Sequence, residues 1–144
     1  MTAPVTSTAP LAITPIADAD VATVIALWQA CGLTRPWNDP FADIALARRG
    51  PSSTILIGRA GGAIVATAMV GHDGHRGWVY YVATNPDRRA KGFGRAIMDA
   101  AEDWLREAGI AKLQLLVRRE NARAGAFYQS LGYAEAQTIV FAKW

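Results

Sequence analysis

Apolar residues recur along this chain with two periods, and the switches between them mark its elements. Leu11 to Ile16 reads as a strand, with Pro15 confining it to an edge or an end of a sheet. From there the spacing lengthens to i, i+3, i+4, i+7 at Val21, Val24, Ile25 and Trp28, the apolar face of a helix. Asp18 or Asp20 is placed to cap this helix and Gly32 to stop it. A loop, Leu33-Thr34-Arg35-Pro36-Trp37-Asn38-Asp39, follows. Asn38 or Asp39 then caps a short helix with Pro40 in its first turn, running to about Arg49. Gly50-Pro51 is a turn. Ser53 to Arg59 and Ala63 to Gly71 read as strands joined by Ala60-Gly61-Gly62, a hairpin signal. Asp73-Gly74-His75-Arg76-Gly77 makes a second turn, and Trp78 to Thr84 is the next strand.

The helical period returns from about Gly92 to Ala108, placing Ile97, Ala101, Trp104, Leu105 and Ala108 on one face before Gly109 ends it. Lys112 to Arg118 is near-continuous in aliphatics (Leu113, Leu115, Leu116, Val117), as in a strand covered on both faces. Asn121 opens or caps a helix to Leu131, Gly132 terminates it, and Ala134 to Ala142 reads as a last strand. The order β-α-α-β-β-β-α-β-α-β predicts an α/β (α+β) fold: a mixed, mostly antiparallel central sheet flanked by helices, not an alternating doubly wound sheet. Residues 1–10, rich in Thr, Ala, Ser and Pro, read as a flexible tail, and 11–144 as a single domain.

Composition narrows the function classes. The 144 residues suffice for one domain with a real core. A net charge of +3 suits an anionic ligand, and the basic residues gather at one turn instead of covering a face, which speaks against nucleic acid. With Cys31 alone there is no intrachain disulfide, and a reducing cytoplasm fits. No apolar run has the length of a membrane span, and the N-terminus does not read as a signal peptide.

The most informative stretch runs from Val82 to Ala96. A strand ends at Asn85-Pro86, a basic glycine-bearing turn follows, and a helix opens at Gly92. Such a helix start aims unpaired backbone N–H groups and the positive end of its dipole at an anion. Gly92 and Gly94 remove the Cβ atoms that would hold a phosphate off the backbone, and Arg88, Arg89, Lys91 and Arg95 add charge. The ordinary alternative is a solvated strand-to-helix connection. A dinucleotide fingerprint is excluded because Ile97 stands where the third glycine belongs, and a P-loop because no Gly-Lys-Ser/Thr tripeptide occurs.

Together with the element order, Arg89-x-x-Gly92-x-Gly94 resembles the GNAT superfamily of acetyl-CoA-dependent N-acetyltransferases. A second segment, Val117-x-x-x-Asn121-x-x-Ala124-x-x-Phe127-Tyr128-x-x-x-Gly132-Tyr133, is similar to the family's pattern after its fifth strand. The resemblance implies acetyl-CoA as cosubstrate, a primary amine as acceptor and direct transfer in a ternary complex, with no metal. It places the pyrophosphate on the backbone of Arg89, Ala90, Lys91, Gly92, Phe93, Gly94 and Arg95. The pantetheine arm would pair along Val82, Ala83 and Thr84 like an added strand, with the Val82 N–H facing the thioester oxygen. Asn121 would contact the cofactor, and Tyr128 would act as general acid. The two are seven residues apart, about 10 Å along one helix face. As plain structure, Asn121 is a helix cap and Tyr128 a core aromatic beside Phe127.

Some members of the family carry a glutamate base in the fifth strand; here Leu116 occupies that position. The departure leaves open a non-catalytic acyl-CoA-binding module as the alternative. It also leaves Asp73 and His75 as candidate bases, against the reading that their segment is simply a turn. Arg35, Trp37, Asn38 and Asp39 are acceptor-binding candidates; otherwise Trp37 packs on the core and Asn38 or Asp39 caps a helix. Cys31 reads as a small buried apolar residue, not a nucleophile. The strand Ala134 to Ala142 is a candidate for pairing between two copies, which would give a homodimer.

Overall fold

The computed structural model describes residues 11–89 and 91–144. The expected tail at 1–10, and Ala90, lie outside the described residues. Five strands form one sheet in the order β1-β2-β3-β4-β5: β1 (Ala12–Pro15), β2 (Ser53–Ala60), β3 (Ala63–His72), β4 (Gly77–Thr84) and β5 (Leu113–Gln114). Pairing is antiparallel except between β4 and β5. Pro15 does sit on an edge strand, where its missing N–H costs no ladder bond. The β2–β3 hairpin turns through Gly61 and Gly62, both at positive φ, a conformation that glycine reaches without strain.

Helices cover both faces. α1 (Val21–Ala30) and α2 (Pro40–Ala47) pack on one, and α3 (Phe93–Glu107) with α4 (Ala122–Ser130) on the other. The alternation in β2 explains the division: Ile55 and Ile57 point into the α1–α2 core and Leu56 into the α3 core. On the α1–α2 side the Trp28 ring stacks on Tyr81 with centroids 3.8 Å apart. Trp28 Nε1 donates to Thr67 Oγ1 (2.8 Å), which donates in turn to the Tyr81 carbonyl (2.9 Å). A buried hydroxyl is thereby satisfied in both roles. No helix among the described residues is long and apolar enough to cross a membrane.

Four expectations need correction. Neither Asp18 nor Asp20 caps α1 through its side chain. Asp20 Oδ2 instead accepts from the Ala17 N–H (2.9 Å) and Oδ1 pairs with Arg59 of β2, a stronger partner than a neutral N–H. On α3 the buried stripe is Phe93, Ile97, Met98, Ala101 and Leu105, while Ala108 is exposed beyond the helix end. The fifth strand is only Leu113–Gln114, and Leu116 and Val117 are exposed instead of covered on both faces. No strand forms over Ala134 to Ala142, where Ile139 is 77% and Phe141 88% exposed. The last two share a cause: β4 and β5 pair only at Gly77↔Leu113 and Trp78↔Gln114, so the sheet offers no ladder on which a further strand could build.

Candidate active site

The same divergence makes an opening. From Val79 to Thr84 the edge of β4 away from β3 has no partner strand among the described residues. A bulge sharpens the bend: between Met69↔Tyr80 and Thr67↔Ala83, Tyr81 and Val82 together oppose Ala68. Tyr81 takes φ 51°, the left-handed region that a bulky residue enters only when its surroundings fix it. Its stack on Trp28 and the Thr67 bond supply that constraint.

A cavity of about 550 Å³ lies against this open edge, between β4, the α3 N-terminus and α4. The structure brings Val82, Ala83, Thr84, Arg89, Lys91, Gly92, Phe93, Gly94, Arg95, Asn121 and Tyr128 to its wall. Gly92, at φ 79°, ends the turn and begins α3 with no side-chain cap, so the first N–H groups of the helix keep their capacity to bind an anion. Gly94 lies under α4: a Cβ there would come within 2.9 Å of Phe127 Cζ. Arg95 Nη2 reaches the Ser130 carbonyl at 3.5 Å, and the Arg88 guanidinium lies 5.8 Å from the Phe93 ring centroid. Arg123, which the sequence reading passed over, adds a further cation; its only signal is its place in the first turn of α4.

Asn121 serves as a cap, its Oδ1 accepting from the Ala124 N–H at 3.1 Å, which leaves its amide NH₂ for a ligand. Tyr128 lies edge-on to Phe127 (5.0 Å) and Tyr133 (5.9 Å), and no side chain among the described residues accepts from its hydroxyl. Burial among these rings pushes its pKa up to about 12. Cys31 is half-buried at the wall, with Sγ 3.2 Å from the Thr84 carbonyl; burial, opposed by the nearby Arg89, raises its pKa, the state of an unreactive thiol.

Beyond the bulge a second cavity, about 490 Å³, opens between α2 and the β3–β4 ribbon. Trp78, Tyr80 and Tyr81 wall it, with Asp43 and Asp73 at its rim. Tyr81 donates its hydroxyl to Asp43 Oδ2 at 2.6 Å; desolvation first, and then this carboxylate, raises the tyrosine pKa. Asp73 Oδ1 accepts from the His75 and Arg76 N–H groups (2.9 and 2.8 Å), bonds that hold its carboxyl below the usual range. His75 is exposed and lines neither cavity. Of the loop candidates only Asn38 reaches the second cavity. Arg35 donates to the Gly32 and Thr34 carbonyls (2.7 and 3.0 Å), Trp37 is 57% exposed, and Asp39 caps α2 by accepting from Phe41 N (2.9 Å). Asp43, Tyr80 and Tyr81 were missed because nothing in their spacing distinguishes them from core and surface positions; only the packing of α2 beside the bulged β4 puts them on one cavity wall.

The sequence model of the acetyltransferase (GNAT) family matches residues 22–133, most of the domain that carries both cavities. The chain belongs to this family. An acetyltransferase of Yersinia enterocolitica is 39% identical to this GNAT protein over 126 residues, spanning 88% of this chain and 89% of that one. An N-acetyltransferase of Yersinia pestis is 39% identical over 124 residues, spanning 86% and 88%. Among solved structures, the ribosomal-protein-S18-alanine N-acetyltransferase from Escherichia coli superposes with a TM-score of 0.74 at 26% identity, covering 89% of this chain and 80% of that one. AAC(6')-Iy, solved with the bisubstrate analogue CoA-S-monomethyl-acetylneamine, superposes with a TM-score of 0.80 at 16% identity, covering 94% and 98%, a likeness of fold alone. The mostly antiparallel sheet flanked by four helices is the GNAT fold, and the chain is an acyltransferase that moves acetyl groups.

Proposed function

We propose that this GNAT protein transfers the acetyl group of acetyl-CoA to a primary amine by direct attack within a ternary complex. One observation carries the reading: an unpaired strand edge and an uncapped, glycine-opened helix N-terminus face one basic cavity. The residues present fit the cofactor. A pyrophosphate needs free N–H groups and positive charge at close approach, which Gly92, Gly94, Arg89, Lys91 and Arg95 supply. A pantetheine arm carries amides that pair with open strand edge at Val82, Ala83 and Thr84. Bound acetyl-CoA supplies an acetyl group activated as a thioester.

The chain's own groups do the rest. The Val82 N–H, beside the bulge, donates to the acetyl oxygen as negative charge grows there. The new bond joins the amine nitrogen to the acetyl carbon, the carbon–sulfur bond breaks, and Tyr128 gives its proton to the departing sulfur. The dry surroundings that raise the tyrosine pKa penalise a bare thiolate as well, so they favour the proton's arrival on sulfur. The amine comes from the second cavity, which meets β4 at Tyr81, one residue before Val82. Asp73, its carboxyl held below the usual range by the Arg76 and His75 N–H groups, is a weakened base, and His75 lines neither cavity. With Leu116 where some members carry a glutamate, the amine's proton leaves to water.

Calorimetric titration with acetyl-CoA, beside Gly92→Glu, tests the cradle. The variant puts a strained, negative side chain at φ 79° and should lose at least about tenfold in affinity. Undiminished binding in the variant would move the site elsewhere, and no binding by the parent protein would remove the reading. Amine-dependent release of thiol separates the enzyme from an acyl-CoA-binding module.

A further inference from the structure

The two cavities are lined by adjacent residues of the bulge, Val82 in the first and Tyr81 in the second, and they carry opposite charge. Arg88, Arg89, Lys91, Arg95 and Arg123 line the first, with no acidic residue among the described lining. Asp43 and Asp73 line the second, with no lysine or arginine among its described lining. The two carboxylates differ in what they have left to offer. Asp73 is engaged on both oxygens, Oδ1 by two backbone N–H groups and Oδ2 by Trp78 Nε1 at 3.4 Å. Asp43 accepts only from Tyr81, through Oδ2, which fixes the carboxylate and leaves Oδ1 without a side-chain partner among the described residues. Trp78 and Tyr80 line the same cavity, and the one imidazole among its described lining, His72, has its Nδ1 occupied by the Gly74 N–H (3.1 Å).

Given acetyl transfer from the first cavity, on which this inference rests, we infer that the second cavity selects a dicationic acceptor: a small diamine whose reacting nitrogen approaches Val82 while its second, protonated nitrogen is held by Asp43. A fixed carboxylate with a free oxygen binds an ammonium by a charge-assisted hydrogen bond, and the aromatic walls take the methylene stem and add cation–π attraction. An acceptor with a carboxylate at its far end meets Asp43 and Asp73 instead and is repelled.

Diaminobutane, butylamine and aminobutyrate share a four-carbon stem and differ only at the far end. We expect thiol release with kcat/KM at least about tenfold higher for diaminobutane than for butylamine, the scale of one charge-assisted hydrogen bond, and lower still for aminobutyrate. Asp43→Asn should bring the diaminobutane-to-butylamine ratio to about one, chiefly through KM. Tyr81→Phe keeps both the carboxylate and the stacked ring and loses only the bond that steadies Asp43 Oδ2, so it should keep most of the ratio. A ratio near one in the parent protein overturns the inference, as does an unchanged ratio in Asp43→Asn. Equal collapse in both variants makes Asp43 a structural partner of Tyr81 and overturns it too. A lysine-containing peptide preferred to diaminobutane overturns the small-molecule form. If calorimetry shows no acetyl-CoA binding at all, the transfer reading fails and takes this one with it; binding with equal turnover of the three amines sinks the acceptor class alone.

Discussion

Tyr128 is the side chain to which the proposed transfer assigns the proton, and its neighbours suit it to that task. Alone, a phenol with a pKa of about 10 is an unremarked aromatic. Packed between Phe127 and Tyr133 it keeps its proton up to about pH 12, and its hydroxyl is free among the described residues to donate into the basic cavity. Tyr128→Phe retains the ring packing and removes only the proton. We expect kcat to fall by about 10²–10⁴-fold, the usual worth of a general acid, with acetyl-CoA affinity little changed by calorimetry. A loss smaller than about tenfold would hand the proton to water. That the tyrosine and Asn121 share one cavity wall was legible in the sequence, because both belong to a spaced motif on one helix. Tyr81 and Asp43 were not, since their 2.6 Å bond joins residues 38 apart through a bulge that no local pattern announces.

Between elements, the site depends on how closely α3 and α4 approach. Gly94 is where they touch: an added Cβ would lie 2.9 Å from Phe127 Cζ, 3.1 Å from its Cε1 and 3.6 Å from Thr84 Cγ2. Gly94→Ala should push α4 away from α3, costing about 1–3 kcal/mol of stability by overpacking. It should also weaken acetyl-CoA binding, because Asn121 and Tyr128 move with α4. Thermal unfolding and calorimetry read the two effects; a variant with unchanged Tm and affinity would show that the Phe127 ring yields freely. Most element positions could be read from period, glycine and cap, as with the Gly61-Gly62 hairpin and the Asp39 cap of α2. The failures, Lys112 to Arg118 and Ala134 to Ala142, were apolar stretches judged by local pattern when strand formation depends on a partner edge.

Across the whole molecule, the connection from β1 into α1 is tied to the sheet by Asp20, which joins the Ala17 N–H to Arg59 of β2. The Ala17 hydrogen bond first, then the Arg59 guanidinium, hold its pKa below the ordinary carboxylate value. The native state therefore binds this proton less readily than the unfolded chain does. The resulting stabilisation is complete above the unfolded value of about 3.9 and fades as pH falls through the lower native value. Urea unfolding at a series of acid pH values should show a shallower decline for Asp20→Asn than for the parent protein. Parallel declines would assign the acid sensitivity to other carboxylates.

The sequence by itself determined the layered α/β class, the glycine-opened helix start at Gly92 and the family motif through Asn121 and Tyr128. All of these are written in residues close together along the chain, where period, φ preference and capping act. Only the tertiary structure decided where β4 leaves β5, which face Tyr81 turns to, and that adjacent residues of one bulge line a basic and an acidic cavity. Those outcomes depend on pairing and packing between residues far apart in sequence, such as Gly77 with Leu113 and Trp28 with Tyr81, whose partners no local pattern specifies.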